Sequence, residues 1–272
     1  MGRKVTERQL LLKDELVRAS LLGLKHSTWR PLREQPPDKT ENGTPYTGFQ
    51  PTTLVISEGY DLTAHLDNPR YIGKCPYGVP GDRLYVREAW DLVKQVGTSV
   101  ETDCGPEWDT SWEEWDGPIP KECPEDWWLI FRADEDVTFI DGPWRPSIHM
   151  PRWASRILFR VEGIEVRRLQ TITLEEIKLD GIRIPAVKKE GGGVSPLIRI
   201  TGKYRPVDYM YGKPFSKWTE DDLYRAHFAS MWDEAYAKRG FAWKDNPWCW
   251  YIKLKKLRGR KTDFPKQVLW GM

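Results

Sequence analysis

The chain has 272 residues and a formal net charge of +2, and hydrophobic residues make up 39% of it. This length is enough to bury a hydrophobic core without disulfides or metals as staples. No run approaches the roughly 18 apolar residues that suggest a membrane-spanning helix, and the first residues contain no apolar stretch typical of a signal peptide. We therefore expect a cytoplasmic protein with no membrane partner.

The four cysteines are widely spaced and form no CxxC pair, which is typical of a reduced, intracellular protein. A zinc site is the alternative, although the candidate ligands lack the close pairs of structural zinc sites. Its ligands would be Cys75, Cys104, Cys123 and His149. The sequence also contains no glycine-rich loop of the kind that binds nucleoside triphosphates. We therefore expect neither a metal nor a cofactor.

Charge and aromatic residues are unevenly distributed. Residues 101–126 contain ten acids and one base, whereas "KLKKLRGRK" (253–261) contains six bases and no acid. The basic segment indicates nucleic-acid binding or, alternatively, an edge strand that lysines protect from aggregation. The 15 tryptophans supply core residues and, alternatively, stacking surfaces for bases.

The first elements are a short strand and a helix in "RQLLLKDELVRASLLGLK", with Asp14 as the N-cap and Gly23 just past the helix end. Residues 31–72 are rich in proline, glycine and charge, which predicts a long loop or inserted arm. A turn at Pro80-Gly81 then leads into "DRLYVRE", whose alternation predicts a strand. Residues 91–126 lack clear periodicity and predict an insertion that packs its aromatic side chains locally.

The second half begins with a strand in "WWLIFRA" and a long or bent strand in "RILFRVEGIEVRRLQ". Thr173 and Glu176 form a capping box for a helix that ends at Gly181. Residues 182–217 predict a further insertion, and 219–240 carry the best helical pattern. "NPWCWYIKLKKL" predicts a last strand. With no regular βαβ rhythm, these elements predict a single α+β domain around a small mixed or antiparallel β-barrel.

Several of these segments resemble the ASCH group of PUA-like β-barrel proteins: "GLKHST", "GDRLYVRE", "RLQTITLEEIKLDGI" and "NPWCWYIKL". The longer motifs "WRPSIHMPRWASRI", "GDRLYVREAW" and "NPWCWYI" are similar to bacteriophage and prophage ASCH-type proteins. The resemblance implies a PUA-like barrel with flanking helices, with residues 31–72, 91–126 and 182–217 as insertions. It also implies a ligand cleft between barrel and helix, in a protein of the host-cell cytoplasm.

The family implies binding of RNA or of a modified nucleoside or nucleotide. Some small members hydrolyse the amide of N4-acetylcytidine, and a ribonuclease activity is also attributed to the group. If this chain is an enzyme, the resemblance therefore implies a hydrolase, either an amidohydrolase or a ribonuclease. The amidohydrolases carry a G-R-K-T-x-T turn whose lysine and last threonine act with a distant glutamate. On this chain these residues fall on Lys25, Thr28 and Asp180, while Leu24 and His26 depart from the motif.

Each of these three residues has a catalytic and a structural interpretation. Lys25 could act as a base if desolvation lowered its pKa, with Thr28 as the nucleophile and Asp180 orienting the lysine. Alternatively, Lys25 caps a helix C-terminus, Thr28 is an ordinary strand residue and Asp180 is solvated. On one straight strand Lys25 and Thr28 would face opposite sides, so the triad requires the strand to begin after Lys25.

A second set of candidates is basic and aromatic and would bind the nucleic acid or nucleotide. In "HMPRWASR", Arg152 and Arg156 could clamp a phosphate while Trp153 stacks on a base; alternatively, Trp153 fills the barrel and Arg156 starts a strand. Further positive charge for this cleft could come from Arg30, Arg83 and Arg87. A last alternative is a non-enzymatic phage protein whose acidic, tryptophan-rich insertion docks a host protein partner.

Overall fold

The computed structural model describes residues 4–35, 54–56, 75–102, 105–134, 137, 143–188, 194–200, 203–206 and 218–259. Its helices are α1 (Asp14–Leu21), α2 (Leu174–Leu179) and α3 (Glu220–Tyr236). Its strands are β1 (Glu7–Leu11), β2 (Ser27–Pro31), β3 (Leu54–Ile56), β4 (Arg83–Arg87), β5 (Trp90–Thr102), β6 (Gly105–Glu114), β7 (Trp128–Phe131), β8 (Ile157–Arg168), β9 (Ala186–Lys188), β10 (Val194–Ile200), β11 (Lys203–Pro206) and β12 (Trp248–Gly259). Within these ranges, no helix combines the length and the apolar character that crossing a membrane requires.

The described strands form one mixed sheet and two antiparallel sheets. The mixed sheet has the order β1-β4-β8-β12-β2, with β3 paired to β8. In it β1 is parallel to β4, while β2 is antiparallel to β12. The two smaller sheets have the orders β6-β5-β7 and β11-β10-β9. The predicted α+β class is therefore confirmed.

The predicted closure into a barrel is not seen among the described strands. No described pairing joins β1 to β2, so the five-strand path from β1 to β2 ends at these two short edge strands of five residues each. Alternation along a sequence predicts which segments become strands. It does not predict whether the two outermost strands pair, because that depends on residues far apart in the chain.

The chain divides into two compact units, each made of discontinuous segments. Unit 1 comprises Met1–Thr6, Gly23–Asp82 and Arg160–Lys255, and unit 2 comprises Glu7–Leu22, Arg83–Phe159 and Lys256–Met272. Strands β8 and β12 contribute residues to both units, and the single domain expected from the sequence stays a prediction.

Unit 1 buries apolar side chains from its strands and from α2 and α3. The longest described helix, α3, buries His227, Phe228, Met231 and Trp232. Trp232 Nε1 donates a hydrogen bond to Phe241 O at 2.7 Å, which pairs the one polar atom of this large ring. Fully buried members on the other elements are Ile164, Ile177 and Ile252.

Unit 2 has its own core, in which tryptophans predominate. Trp90, Leu92, Phe131, Met150 and Ala154 form a buried cluster. Four further apolar side chains pack against it: Trp115, Trp127, Leu129 and Trp153. Burial of large aromatic rings is the main stabilising term available to a unit with this composition.

The helix ends follow the local sequence signals. Thr173 accepts a hydrogen bond from Glu176 N and the Glu176 side chain accepts one from Thr173 N, so the predicted capping box of α2 is formed. The corresponding box of α3, between Thr219 and Asp222, is also formed. The prediction for α1 was wrong by one position, because Asp14 is the first helical residue and Lys13 is the N-cap.

The predicted insertions contain more regular structure than their composition indicates. Strands β5 and β6 form a long antiparallel pair that joins residues 93–102 to residues 105–114. Residues 186–188, 194–200 and 203–206 form β9, β10 and β11. The aromatic residues of 91–126 do pack locally: the Trp115 ring lies edge-on to Trp127, with ring centroids 4.9 Å apart. Of residues 31–72, only 31–35 and β3 belong to the described part of the chain.

A buried ion-pair cluster in unit 2 centres on Arg156. Its Nε and Nη2 donate to the two carboxylate oxygens of Glu88 at 3.0 and 2.9 Å, and its Nη1 donates to Asp134 at 2.8 Å. The guanidinium lies 3.9 Å from the centroid of the Phe131 ring. Burial raises the pKa of Glu88, and its bonds to Arg156 oppose that rise. Removing Arg156 would leave this carboxylate buried without a counter-ion.

We expect Arg156→Met to lower the free energy of unfolding by roughly 3–5 kcal/mol, the usual effect of breaking a buried pair. Arg160→Met provides a matched control, because Arg160 pairs with Glu162 at an exposed site and should contribute less than about 1 kcal/mol. Urea unfolding of both variants measures the difference. Equal effects would show that the Arg156 cluster does not support the fold.

Candidate functional site

Lys25 and Asp180 form a buried pair in unit 1. Lys25 is fully buried, and the Asp180 side chain keeps 8% of its exposure. Lys25 Nζ donates to Asp180 Oδ1 at 2.5 Å and to the Asp180 carbonyl at 2.9 Å. The structure thus brings into direct contact two predicted site residues that lie 155 positions apart in the sequence.

Backbone hydrogen bonds on both sides hold this pair in place. His26 N–H donates to Leu179 O at 2.6 Å, and Leu254 N–H donates to His26 O at 2.7 Å. The segment before β2 is therefore fixed between the end of α2 and β12, while the His26 side chain stays exposed. Lys25 also donates to the Asp180 carbonyl at the C-terminal end of α2. It therefore caps α2 as a cation, and not α1, the helix that comes before Lys25 in the chain.

Burial changes the acid–base properties of both partners. Burial lowers the pKa of Lys25, the carboxylate of Asp180 opposes this change, and the positive charge of Arg30 adds to it. Burial raises the pKa of Asp180, and the charges of Lys25 and Arg30 oppose that rise. Both pKa shifts make the neutral forms of Lys25 and Asp180 more favourable than they are in water.

The hydrogen bonds of Lys25 would persist if its ammonium group lost a proton. An ammonium group has three N–H donors, whereas Nζ has two acceptors among the described residues, both on Asp180. A neutral amine would direct its two N–H groups to these acceptors and keep its lone pair for a proton from a third group. This is the arrangement that a general base requires.

Thr28 lies on strand β2, which begins at Ser27. Lys25 therefore precedes the strand, and the alternation that would have separated Lys25 from Thr28 does not apply. Thr28 is 1% exposed and shares a strand face with Arg30, two residues on. Since the charge of Arg30 acts on both Lys25 and Asp180, this is the face of β2 on which we place the site.

Arg30 is connected to three residues that the sequence analysis did not select. Its Nη1 donates to Tyr236 Oη at 2.6 Å, and the guanidinium of Arg239 lies 5.5 Å from the Tyr236 ring centroid. Burial raises the pKa of Tyr77, and the charge of Arg30 opposes that rise. One signal could have found Tyr236, since it follows Trp232 by four residues on the predicted helix.

Three other predicted arginines lie in unit 2 and contact polar groups of that unit. Arg83 Nη1 lies 3.6 Å from the Glu7 carboxylate, and Arg152 Nη2 lies 2.8 Å from it. Arg152 also lies over the Tyr85 ring, 4.9 Å from the centroid. Arg87 donates to the Gln9 side chain and to Ile148 O.

The remaining two predicted residues, Trp153 and Arg156, are packed within unit 2. Trp153 Nε1 donates to Pro120 O at 3.0 Å, and its ring lies edge-on to Trp90 with centroids 6.3 Å apart. Arg156 is 7% exposed and binds two carboxylates. This geometry favours the structural alternative for both residues, since a phosphate clamp and a stacking platform both need exposed groups.

The described histidine, cysteine and acidic side chains include no group of three that could hold a metal ion. Of the proposed zinc ligands, Cys75 is buried and Cys123 is exposed, while Cys104 lies outside the described residues. No protein-family model, curated protein or solved structure matches this chain. At the described site, Lys25, Asp180, Thr28 and Arg30 supply acid–base and hydrogen-bonding groups.

The pair predicts opposite pH dependences for its two single variants. In Asp180→Asn the pKa of Lys25 is lowered by burial with no carboxylate to oppose it. Between that pKa and the value of about 10.4 in an unfolded chain, the unfolded state binds more protons, so stability rises with pH. In Lys25→Met the pKa of Asp180 is raised, so stability falls as pH rises above about 3.9.

Each single variant should also unfold roughly 3–5 kcal/mol more easily than the parent near neutral pH, because one buried charge loses its partner. The double variant Lys25→Met/Asp180→Asn should recover much of this loss, since neither charge remains. Urea unfolding over a pH series measures all three variants. Parallel pH profiles for the two single variants would contradict the coupling.

Proposed function

We propose that this chain is an ASCH-type, PUA-like protein that binds a cytidine-type nucleoside or nucleotide in unit 1 and hydrolyses an amide on its exocyclic nitrogen. The observation that carries the proposal is the buried contact between Lys25 and Asp180. These are the positions on which the lysine and the carboxylate of the ASCH amidohydrolases fall. The α+β architecture is compatible with that family, and the PUA-like assignment is part of the proposal.

In the proposed reaction, Lys25 acts as the general base and Thr28 as the nucleophile. Thr28 Oγ1 attacks the carbonyl carbon of the acyl amide while Lys25 Nζ takes the hydroxyl proton. Collapse of the tetrahedral intermediate breaks the C–N bond, and the Lys25 ammonium returns the proton to the leaving amine. A water molecule then hydrolyses the acyl ester of Thr28, again with Lys25 as base, and releases the carboxylic acid.

Asp180 is a positioning residue in this scheme. Its carbonyl and carboxylate oxygens accept both N–H groups of the neutral amine, which aims the lone pair of Lys25 away from Asp180. The carboxylate also stabilises the ammonium that forms during each half-reaction. Because Lys25, Thr28 and Asp180 are buried while Arg30 is half-buried, the proposal places substrate entry on the Arg30 side of the site.

A second candidate function, binding of a host protein partner, is favoured by the β6-β5-β7 sheet of unit 2. Half-buried Trp112 lies edge-on to Trp128, with ring centroids 5.8 Å apart, beside exposed Glu113 and Glu114. Salt distinguishes this function from RNA binding. RNA affinity falls steeply with added salt because phosphate contacts release counterions, whereas a partner held by tryptophans would be retained.

The nucleophile is tested with two substitutions at one position. Thr28→Val keeps the shape of the side chain and removes the hydroxyl, so we expect loss of at least about 1,000-fold in kcat for N4-acetylcytidine hydrolysis. Thr28→Ser keeps a hydroxyl and should retain turnover within roughly tenfold of the parent. Release of acetate measures both, and equal turnover in all three proteins would rule out Thr28 as nucleophile.

The base is tested with Lys25→Ala, which should abolish turnover at every pH. Because this change leaves a buried carboxylate, the folded fraction must be verified by circular dichroism under the assay conditions. In the parent, kcat/KM should rise with pH through the lowered pKa of Lys25. A folded Lys25→Ala protein with full activity would end the amidohydrolase proposal.

A further inference from the structure

Arg30, Tyr236 and Arg239 form a cluster on the same strand face of unit 1 as Thr28, which we name the arginine–tyrosine cluster. Arg30 Nη1 donates to Tyr236 Oη at 2.6 Å, and Arg239 lies over the Tyr236 ring. The exposure of these groups increases outward: Arg30 and Tyr236 are half-buried and Arg239 is exposed. The cluster therefore extends from the buried Lys25–Asp180 pair to the protein surface.

The groups in this cluster are mainly hydrogen-bond donors. A guanidinium presents several N–H donors in a planar fork and has no acceptor. The Tyr236 hydroxyl accepts from Arg30, and among the described residues no acceptor takes its own O–H. The two guanidinium groups of Arg30 and Arg239 and the hydroxyl of Tyr236 together suit an anion with several oxygens.

We propose that the arginine–tyrosine cluster is an anion subsite that binds the phosphate of a nucleotide ligand. The inference rests on the proposed function for the identity of the base, and it names the substrate class as a phosphorylated cytidine rather than a free nucleoside. Thr28 and Arg30 are two residues apart on β2, about 6.6 Å along the strand. One ligand can therefore place its amide at Thr28 and its phosphate against the guanidinium of Arg30.

The C-terminal end of helix α3 provides one argument against this subsite, and the turn that follows it provides control substitutions for the test. Tyr236 is the last residue of α3, and a helix C-terminus carries partial negative charge, which disfavours an anion. The following turn contains Lys238 and Arg239, both exposed cations that offset this charge. Of these two cations, Arg239 is the one whose guanidinium is described over the Tyr236 ring. Substituting each of these two cations separates general charge compensation from a specific subsite.

The test compares cytidine 5′-monophosphate, cytidine and inorganic phosphate as ligands at constant ionic strength. Isothermal titration calorimetry measures the two cytidine ligands, and the rise in melting temperature measures phosphate. We expect the monophosphate to bind the parent at least about tenfold more tightly than cytidine. Arg239→Gln should reduce monophosphate affinity by roughly tenfold and leave cytidine affinity unchanged, as expected for loss of one charge-assisted contact.

Two further variants complete the design. Lys238→Gln removes the same charge from the same turn and should change monophosphate affinity by less than about twofold. Tyr236→Phe removes the hydroxyl that orients Arg30 and should weaken monophosphate binding by roughly fivefold, with cytidine again unaffected. Both substitutions are mild enough to keep the fold, which the melting temperature without ligand verifies.

The outcomes separate this inference from the proposed function. If phosphate stabilises the parent but not Arg239→Gln, while neither cytidine ligand binds, the anion subsite is supported and the proposed function fails. If both cytidine ligands bind equally well, or if Lys238→Gln weakens binding as much as Arg239→Gln, the subsite is overturned. If neither phosphate nor either cytidine ligand binds the parent, both proposals are overturned.

Discussion

The buried ion pair between Lys25 and Asp180 is the constraint on which the structure of the site in unit 1 depends. Removing each charge from water costs several kcal/mol, and only a close partner with further hydrogen bonds offsets that cost. Here the further bonds are the one from Lys25 to the Asp180 carbonyl and the backbone bonds through His26. They fix the segment before β2 and so determine which face of that strand carries Thr28 and Arg30.

A second buried ion-pair cluster, around Arg156 in unit 2, shows why residue type decides what such a pair can do. Arginine stays protonated at any pH that a folded protein tolerates, so Arg156 can neutralise Glu88 and Asp134 but cannot exchange protons. Lysine loses its proton when burial lowers its pKa far enough. The cation of the Arg156 cluster therefore serves stability, whereas Lys25 is a cation that can also become a base.

The parts of the structure that follow from local sequence were predictable. The capping boxes at Thr173 and Thr219 depend on residues three positions apart, and both are formed. The β5–β6 pair was not predicted, because its acidic and tryptophan residues obscure the alternation of polar and apolar side chains. Its pairing also joins positions that are distant in the chain, such as Val93 and Glu114. The site was partly predictable, through the resemblance that pointed to Lys25 and Asp180.

The sequence by itself determined the α+β class, the positions of most helices and strands and the identity of the groups that could do chemistry. Only the tertiary structure decided that the five-strand path stays open among the described strands, that acids bind Arg156, and that Tyr236 contacts both Arg30 and Arg239. Local elements follow from hydrogen bonds and hydrophobic spacing within a few residues. Burial and charge pairing depend on contacts between distant positions, such as the 206 residues that separate Arg30 from Tyr236, and a single sequence does not specify which distant positions meet.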